Sequence, residues 1–314
     1  MTPTYTIEAD AIGKTYKKTT ALENFHLTVP AGEVRGLLGP NGAGKTTAVK
    51  ILTTLLRPST GTARVGGYDI TTHSRDVRTC IGLTGQHTAV DEILTAKQNL
   101  VLFGQLLHLS RRDATRRAEE LLDQFSLSHA AKKAPKTFSG GMKRRLDLAS
   151  SMILSPQVLF LDEPTTGLDP TGRREVWTSI TRLAQSGTTV LLTTHYLDEA
   201  DQLCDRITLI NDGKNLREDT PTGLKAAIGG ETLTVVAHHS DHLEELARIV
   251  DKNTGNCSHT KADTLTITAP TDADPVAALA KTAADIHHSG LTVADITLRR
   301  PTLDEAFISL TSKN

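Results

Sequence analysis

Three cysteines in 314 residues, Cys80, Cys204 and Cys257, share no paired spacing. So odd and sparse a set excludes a disulfide framework and a thiolate zinc site, and fits a reducing compartment. No apolar run approaches the ~20 residues needed to cross a bilayer, so any work at a membrane needs another chain to cross it. Neither sign of charge is in excess: 35 Lys and Arg face 36 Asp and Glu, a formal net charge of −1. That balance argues against bulk nucleic-acid binding, which draws on a basic face, and leaves room for a local basic patch. The opening Met1-Thr2-Pro3-Thr4-Tyr5 has no basic n-region and no apolar h-region, so no secretory leader is expected. The length suits one large domain or two modest ones.

Against these absences stands a dense glycine motif. Residues Gly39 to Thr46 read Gly-Pro-Asn-Gly-Ala-Gly-Lys-Thr, a full match to G-x-x-x-x-G-K-[ST]. Val34 to Leu38 before it reads as a short buried strand, and Thr46 to Leu52 after it as the first turns of a helix. Glycines let consecutive backbone N–H groups converge on one anion, and the helix N-terminus adds partial positive charge. Lys45 can reach β- and γ-phosphates, and the Thr46 hydroxyl can ligate Mg²⁺.

The chain reads as two parts that meet near Ile228-Gly229-Gly230. The first opens with strands at Thr4 to Ala9 and Leu22 to Val29. Thr62 to Val65 and Tyr68 to Ile70 flank Gly66-Gly67, a hairpin signal. A helical stretch runs from about Thr95 to Phe125, with Ser110 as N-cap of its second helix. Two strongly apolar strands, Val158 to Leu161 and Thr189 to Thr193, enclose a helix over Arg173 to Gln185, which implies a parallel sheet buried on both faces. The second part reads strand (Thr232 to Ala237), helix (Asp241 to Val250), strand (Asn256 to Thr260) and strand (Thr264 to Thr268). A helix (Pro275 to His287) and a strand (Thr292 to Leu298) follow, the split βαβ order. A last helix opens on the capping box Thr302-Leu303-Asp304-Glu305.

Two further motifs carry chemistry. The apolar strand Val158 to Leu161 ends in adjacent acids, Asp162 and Glu163. Ligands sit beyond the carboxyl ends of parallel strands, so these acids should face the nucleotide. On an extended chain end they point different ways: Asp162 can hold Mg²⁺, and Glu163 is free to orient an attacking water. In Phe138-Ser139-Gly140-Gly141-Met142, Ser139 reads as the N-cap of a helix, a second anion-capable N-terminus or an ordinary capped helix.

The phosphate loop, Ser139-Gly140-Gly141 and the acid-tipped strand, in this order, closely resemble the ATP-binding subunits of ABC transporters. The resemblance covers the whole first part. Gln86 is similar to the family's lone glutamine after the hairpin region, Gly167-Leu168-Asp169 to the loop where two subunits meet, and His195 to the switch histidine. Tyr16 sits where the family places an aromatic under the adenine. Phe138 and Met142 depart from the usual Leu-Ser-Gly-Gly-Gln, and Arg35 stands where relatives carry apolar residues. The ending Arg300-Pro301-Thr302-Leu303-Asp304-Glu305-Ala306-Phe307 resembles ATPases of the daunorubicin-resistance type of exporter.

The resemblance implies an α/β fold over residues 1–229: a P-loop ABC-type nucleotide-binding domain with a parallel sheet core, an antiparallel β subdomain and a helical subdomain at about 89–155. By its order of elements, a small α+β domain, ferredoxin-like, is expected to follow over 230–314, with an accessory or dimerisation role. ATP and Mg²⁺ are the implied ligands. Gly39, Asn41, Gly42, Gly44, Lys45, Thr46 and Thr47 would hold the nucleotide of one subunit, with Tyr16 under its base. Ser139, Gly140, Gly141 and Asp169 would meet it from the other subunit of a head-to-tail pair. Thr46, Gln86 and Asp162 would ligate Mg²⁺; Glu163, His195 and Gln86 would be catalytic. The expected partners are a membrane permease and a second ATPase subunit, in a homodimer, at the cytoplasmic face of the membrane, with no nucleic acid and no direct membrane span. The expected work is ATP-driven export of a drug or other hydrophobic compound. A permease-free ABC-type ATPase of DNA repair, translation or regulation is the alternative; such chains usually carry two motif sets or a long coiled coil, and neither is visible here.

Other features read as surface. His238-His239, His242 and His287-His288 lack a completed ligand set. Arg111-Arg112 and Arg116-Arg117, among Asp113, Glu119 and Glu120, read as a salt-bridged helix face. Lys143-Arg144-Arg145 reads equally as a solvated face or as an aid to nucleotide attraction.

Overall fold

The computed structural model describes residues 5–17, 19–85, 88–227, 230–271 and 274–311. Alternating apolar residues build its first sheet. Strand β1 (Tyr5–Tyr16) buries Ile7, Ala9 and Ile12 against Leu22, Phe25, Leu27 and Val29 of antiparallel β2 (Thr19–Pro30). Left-handed backbone at Ala11 and Asn24 accompanies register shifts along the pair. The period of two slips there, which is why β1 runs past the expected end at Ala9. The sheet order is β2-β1-β4-β5, with β4 (Thr60–Val65) and β5 (Tyr68–Asp69) as the expected hairpin.

The second sheet carries the chemistry. Its order is β10-β9-β3-β8-β7-β6, from β3 (Val34–Leu38), β6 (Ile81–Thr84), β7 (Val158–Asp162), β8 (Thr189–Thr194), β9 (Arg206–Asn211) and β10 (Lys214–Asp219). All neighbours run parallel except the edge pair β9 and β10. Every residue of β3, β7 and β8 is buried, the condition for a sheet covered on both faces. Helices α1 (Lys45–Leu52), α2 (Ser74–Cys80), α6 (Pro170–Gln185) and α7 (Leu197–Leu203) belong to this part. Helix α6 starts three residues before the expected Arg173, because Asp169 accepts from Gly172 N at 2.9 Å as its N-cap and Pro170 is at home in a first turn.

Between them lies a helical region of α3 (Ala96–Leu106), α4 (Arg111–Gln124) and α5 (Gly140–Ser151). Thr95 with Gln98 and Ser110 cap the first two. The α4 arginines are not all surface charge. Arg116 pairs with Asp113 and Glu120, but Arg117 donates to the carbonyls of Met152 and Ile153 at 2.9 and 3.2 Å, closing the C-terminal end of α5.

Arg35 has a physical account. It is 1% exposed, yet its guanidinium meets Glu33 Oε1 and Glu218 Oε2 at 2.6 Å each, Thr208 Oγ1 at 3.2 Å and the Thr28 carbonyl at 3.0 Å. These partners come from β2, β9, β10 and the turn before β3, so one buried cation ties the two sheets together.

The chain divides into two compact units after Pro221, at the start of α8 (Pro221–Ala226). That lies ahead of the expected 229/230 boundary; Ile228 and Gly229 are outside the described residues. The second unit contains β11 (Thr232–Ala237), α9 (Leu243–Thr254), β12 (His259–Lys261), β13 (Thr266–Pro270), α10 (Pro275–His288), β14 (Val293–Arg299) and α11 (Leu303–Thr311). Its strands are all antiparallel in the order β12-β13-β11-β14. Leu233, Val235 and Ala237 on one face of β11 join Leu246 and Val250 of α9 and Ile286 of α10 in its core.

Candidate active site

Strand β3 delivers the chain to the glycine loop, and Gly44 turns it into α1 with φ 104. Only glycine is at ease there, and a Cβ would also stand 2.5 Å from the Ala21 carbonyl. Helix α1 has no side-chain cap and no acid in its first turn, so its first N–H groups are free of side-chain competition for an anion. Asn41, Gly42, Gly44, Lys45, Thr46 and Thr47 line one cleft of about 220 Å³ together with Glu163 and Ala21. Lys45 is buried, and its Nζ donates to the carbonyls of Gly39 and Pro40 at 2.6 and 3.0 Å. Burial lowers its pKa, against the opposing pull of Glu163 and Asp162.

The strand β7 leads Glu163 to this cleft and sets Asp162 behind it, against Thr46. Asp162 Oδ1 accepts from Thr193 Oγ1 at 2.5 Å and from Thr46 Oγ1 at 3.4 Å. Glu163 is not extended as the sequence suggested. Its φ is 50, a left-handed conformation that costs a non-glycine residue ~1–3 kcal/mol. Its N–H donates to the Thr193 carbonyl and hydroxyl, both at 3.1 Å, which holds the turn. Its carboxylate then spans two partners: Oε1 lies 3.3 Å from His195 Nδ1, and Oε2 accepts from Thr166 Oγ1 at 3.2 Å.

The solvated reading of Lys143-Arg144-Arg145 is corrected for its last two members, which are buried. Arg144 donates to the carbonyls of Pro164 and Gly85 at 2.7 Å each, and lies 3.3 and 3.4 Å from the carbonyls of Asp162 and Glu163. Asp147 accepts from Ala89 N at 2.9 Å and pairs with Arg144 at 3.3 Å. Burial raises the Asp147 pKa, with the Ala89 N–H and the Arg144 charge pulling it down. Helix α5 thus braces the acid-bearing turn from behind. Arg145 pairs with Glu175 at 3.1 Å and donates to the Phe125 carbonyl at 3.0 Å.

Ser139 caps α5 by accepting from Met142 N at 3.2 Å. A Cβ on Gly141 would stand 2.9 Å from Gly172 Cα, so α5 and α6 touch at their N-terminal ends. Ser139, Gly140, Gly141, Asp169 and Tyr16 do not line the cleft of the phosphate loop. Tyr16 is 45% exposed at the end of β1, with Lys14 Nζ 5.4 Å from its ring centre. Gln86 lies outside the described residues. Sequence reasoning missed Thr193, Arg144 and Ala21. Thr193 had a signal: a hydroxyl directly after the apolar run Val190-Leu191-Leu192, and it stands opposite Asp162 in register.

The ABC transporter family pattern matches residues 22–166. A daunorubicin resistance ATP-binding protein, DrrA2 of Streptomyces coeruleorubidus, is 50% identical over 98% of this chain and 95% of its own length. The chain belongs to the ATP-binding subunits of ABC transporters, of the drug-exporter type. The daunorubicin/doxorubicin resistance ATP-binding protein DrrA of Streptomyces peucetius is 45% identical over 98% of this chain and 93% of its own. Among solved structures, the ATP-binding cassette MJ0796, a dimer in a post-hydrolysis state with ADP and Pi, covers 68% of this chain and 98% of its own at TM-score 0.62 and 27% identity. CbiO1 of Clostridium perfringens covers 71% of this chain and 91% of its own, at TM-score 0.66 and 26% identity. The ABC ATPase therefore binds and hydrolyses ATP, and as a subunit of this family it works in a dimer with a membrane permease. Among the described residues no helix is long and apolar enough to cross a membrane.

Proposed function

We propose that this ABC ATPase powers export of a hydrophobic, drug-like compound through a separate permease, at the cytoplasmic face of the membrane, as a head-to-tail homodimer. The observation that carries the catalytic reading is the contact of Glu163 Oε1 with His195 Nδ1 at 3.3 Å, with Glu163 lining the same cleft as Lys45 and Thr46. Glu163 orients and polarises the attacking water, and His195 hydrogen-bonds the γ-phosphate while holding Glu163 in line. Lys45 supplies charge to the β- and γ-phosphates. Thr46 and Asp162 offer hard oxygen donors 3.4 Å apart, a fit to Mg²⁺, and Gln86 adds a third by resemblance. The bound ion would neutralise charge developing on the phosphates. Ser139, Gly140, Gly141 and Asp169 serve the nucleotide of the partner subunit, a reading supported by their place away from their own phosphate loop's cleft. The exposed Tyr16 ring is available to stack on adenine.

Closure follows because the γ-phosphate lends charge-assisted bonds between subunits that ADP cannot. The second unit is ferredoxin-like, supported by its antiparallel order β12-β13-β11-β14, and serves as an accessory or dimer-stabilising module. Export is supported by relatives named for daunorubicin and doxorubicin resistance that match 98% of the chain; the permease-free alternative is not favoured. The test is a gentle detergent pull-down of the tagged chain from its native membranes. A stoichiometric multi-helix membrane protein is expected. A clean soluble dimer, or a ribosome or DNA partner, would overturn the transport reading.

A further inference from the structure

His195 leads into a stack of rings and charge. Its imidazole lies against the next side chain, Tyr196, with ring centres 4.2 Å apart and planes tilted by 39°. The guanidinium of Arg173, on α6, lies over that same Tyr196 ring, its Cζ 4.2 Å from the centre. Arg173 Nη1 is also 3.3 Å from Asp198 Oδ2 at the start of α7. Its Nε is buried without a hydrogen-bond partner, so the cation rests on the ring face and Asp198 rather than on a full hydrogen-bond set. One helical turn further on, Trp177 Nε1 donates to Glu199 Oε1 at 3.0 Å, and that oxygen also accepts from Thr165 Oγ1 at 2.7 Å. Helix α6 therefore reaches the His195 side of the site by two bridges. The second also takes in Thr165, on the segment between Glu163 and α6.

We propose that Arg173 and Tyr196 form a clamp that positions His195 for hydrolysis. The His195 side chain is 34% exposed, and a half-open imidazole held by one carboxylate would sample several rotamers. The cation fixes the phenol ring, and the ring limits the imidazole plane, keeping Nδ1 toward Glu163. The cost of ordering the imidazole is then met before ATP arrives. Neither residue touches the substrate; both act through His195 as positioning residues. The clamp rests on the roles given above to His195 and Glu163. It adds the device that holds them, and it places that device on the helix capped by Asp169.

The test uses the full-length protein, with ATPase kinetics and thermal unfolding of Arg173→Ala, Arg173→Lys, Tyr196→Leu and Tyr196→Phe. Each is also made in the His195→Ala background. Tyr196→Leu keeps apolar bulk without a π face, so it separates the ring from simple filling of space. Arg173→Ala and Tyr196→Leu are expected to lower kcat roughly 10-fold with KM for ATP within about twofold, since orientation and not binding is lost. Tyr196→Phe and Arg173→Lys keep ring and cation and are expected to retain most of the turnover. In the His195→Ala background the Arg173→Ala loss is expected to vanish, because the group it acts through is gone. The same fold loss in both backgrounds would overturn the clamp, as would wild-type kcat in Tyr196→Leu. So would a Tyr196→Phe variant as damaged as Tyr196→Leu. Wild-type turnover by His195→Ala alone would instead strike the role of His195 itself.

Discussion

Arg35 Nη1 stands 2.6 Å from Glu218 Oε2, a contact between a 1%-exposed cation and an acid on the antiparallel edge strand. Glu33 meets the same guanidinium at 2.6 Å from the other side. With the Thr28 carbonyl of β2 at 3.0 Å as a further partner, a charge in a strand that otherwise reads apolar is a joint between sheets. Arg35→Ala leaves two acids facing a cavity and is expected to cost about 3–5 kcal/mol, the range for breaking one side of a buried pair. Denaturant unfolding of the first unit checks it; a loss under about 1 kcal/mol would show that the pair holds nothing.

Glu163→Gln keeps the shape of the turn and loses the base. Nucleotide affinity by calorimetry should be close to wild type while kcat falls about 10²–10⁴-fold. Near-wild-type hydrolysis would remove Glu163 from the mechanism.

Lys45→Ala removes a buried charge from the phosphate loop. Charge-assisted hydrogen bonds contribute ~1.5–3 kcal/mol each, so the Kd for ATP should rise roughly 10- to 100-fold. Unchanged affinity in a titration calorimeter would contradict the cleft's assignment.

Glu199 gives a pH test. Burial lifts its carboxyl above the ordinary range, opposed by hydrogen bonds from Thr194, Thr165 and Trp177. A carboxyl raised in the folded state holds its proton more tightly there than in the unfolded chain. Its stabilising share is full below the ordinary glutamate range and is lost as pH rises through the raised folded value. Glu199→Gln has no such proton, so its Tm relative to wild type should climb as pH rises from about 4 to about 8. A difference independent of pH would show that Glu199 titrates normally.

Local patterns made much of this molecule legible before its structure. The apolar runs of β7 and β8, the glycine loop, and the caps Ser110 and Ser139 each lie within a few residues of what they explain. The alternation of strands and helices in the second part was equally plain. What escaped depends on partners far along the chain. Arg35 meets Thr208 and Glu218, Arg144 meets Gly85 and Pro164, and Thr193 meets Asp162. Charge alone does not announce burial, so Arg144 and Arg145 read as surface. The φ of 50 at Glu163 was equally hidden, since glutamate is not a residue that advertises left-handed backbone.

Helices α5 and α6 meet glycine to glycine, with Gly141 and Gly172 so close that no side chain fits between them. Side chains absorb small displacements by changing rotamer, and bare backbone does not. The N-terminal ends that carry Ser139 and Asp169 therefore behave like two teeth cut on one gear. Neither end has a side chain at this contact to take up a shift of the other.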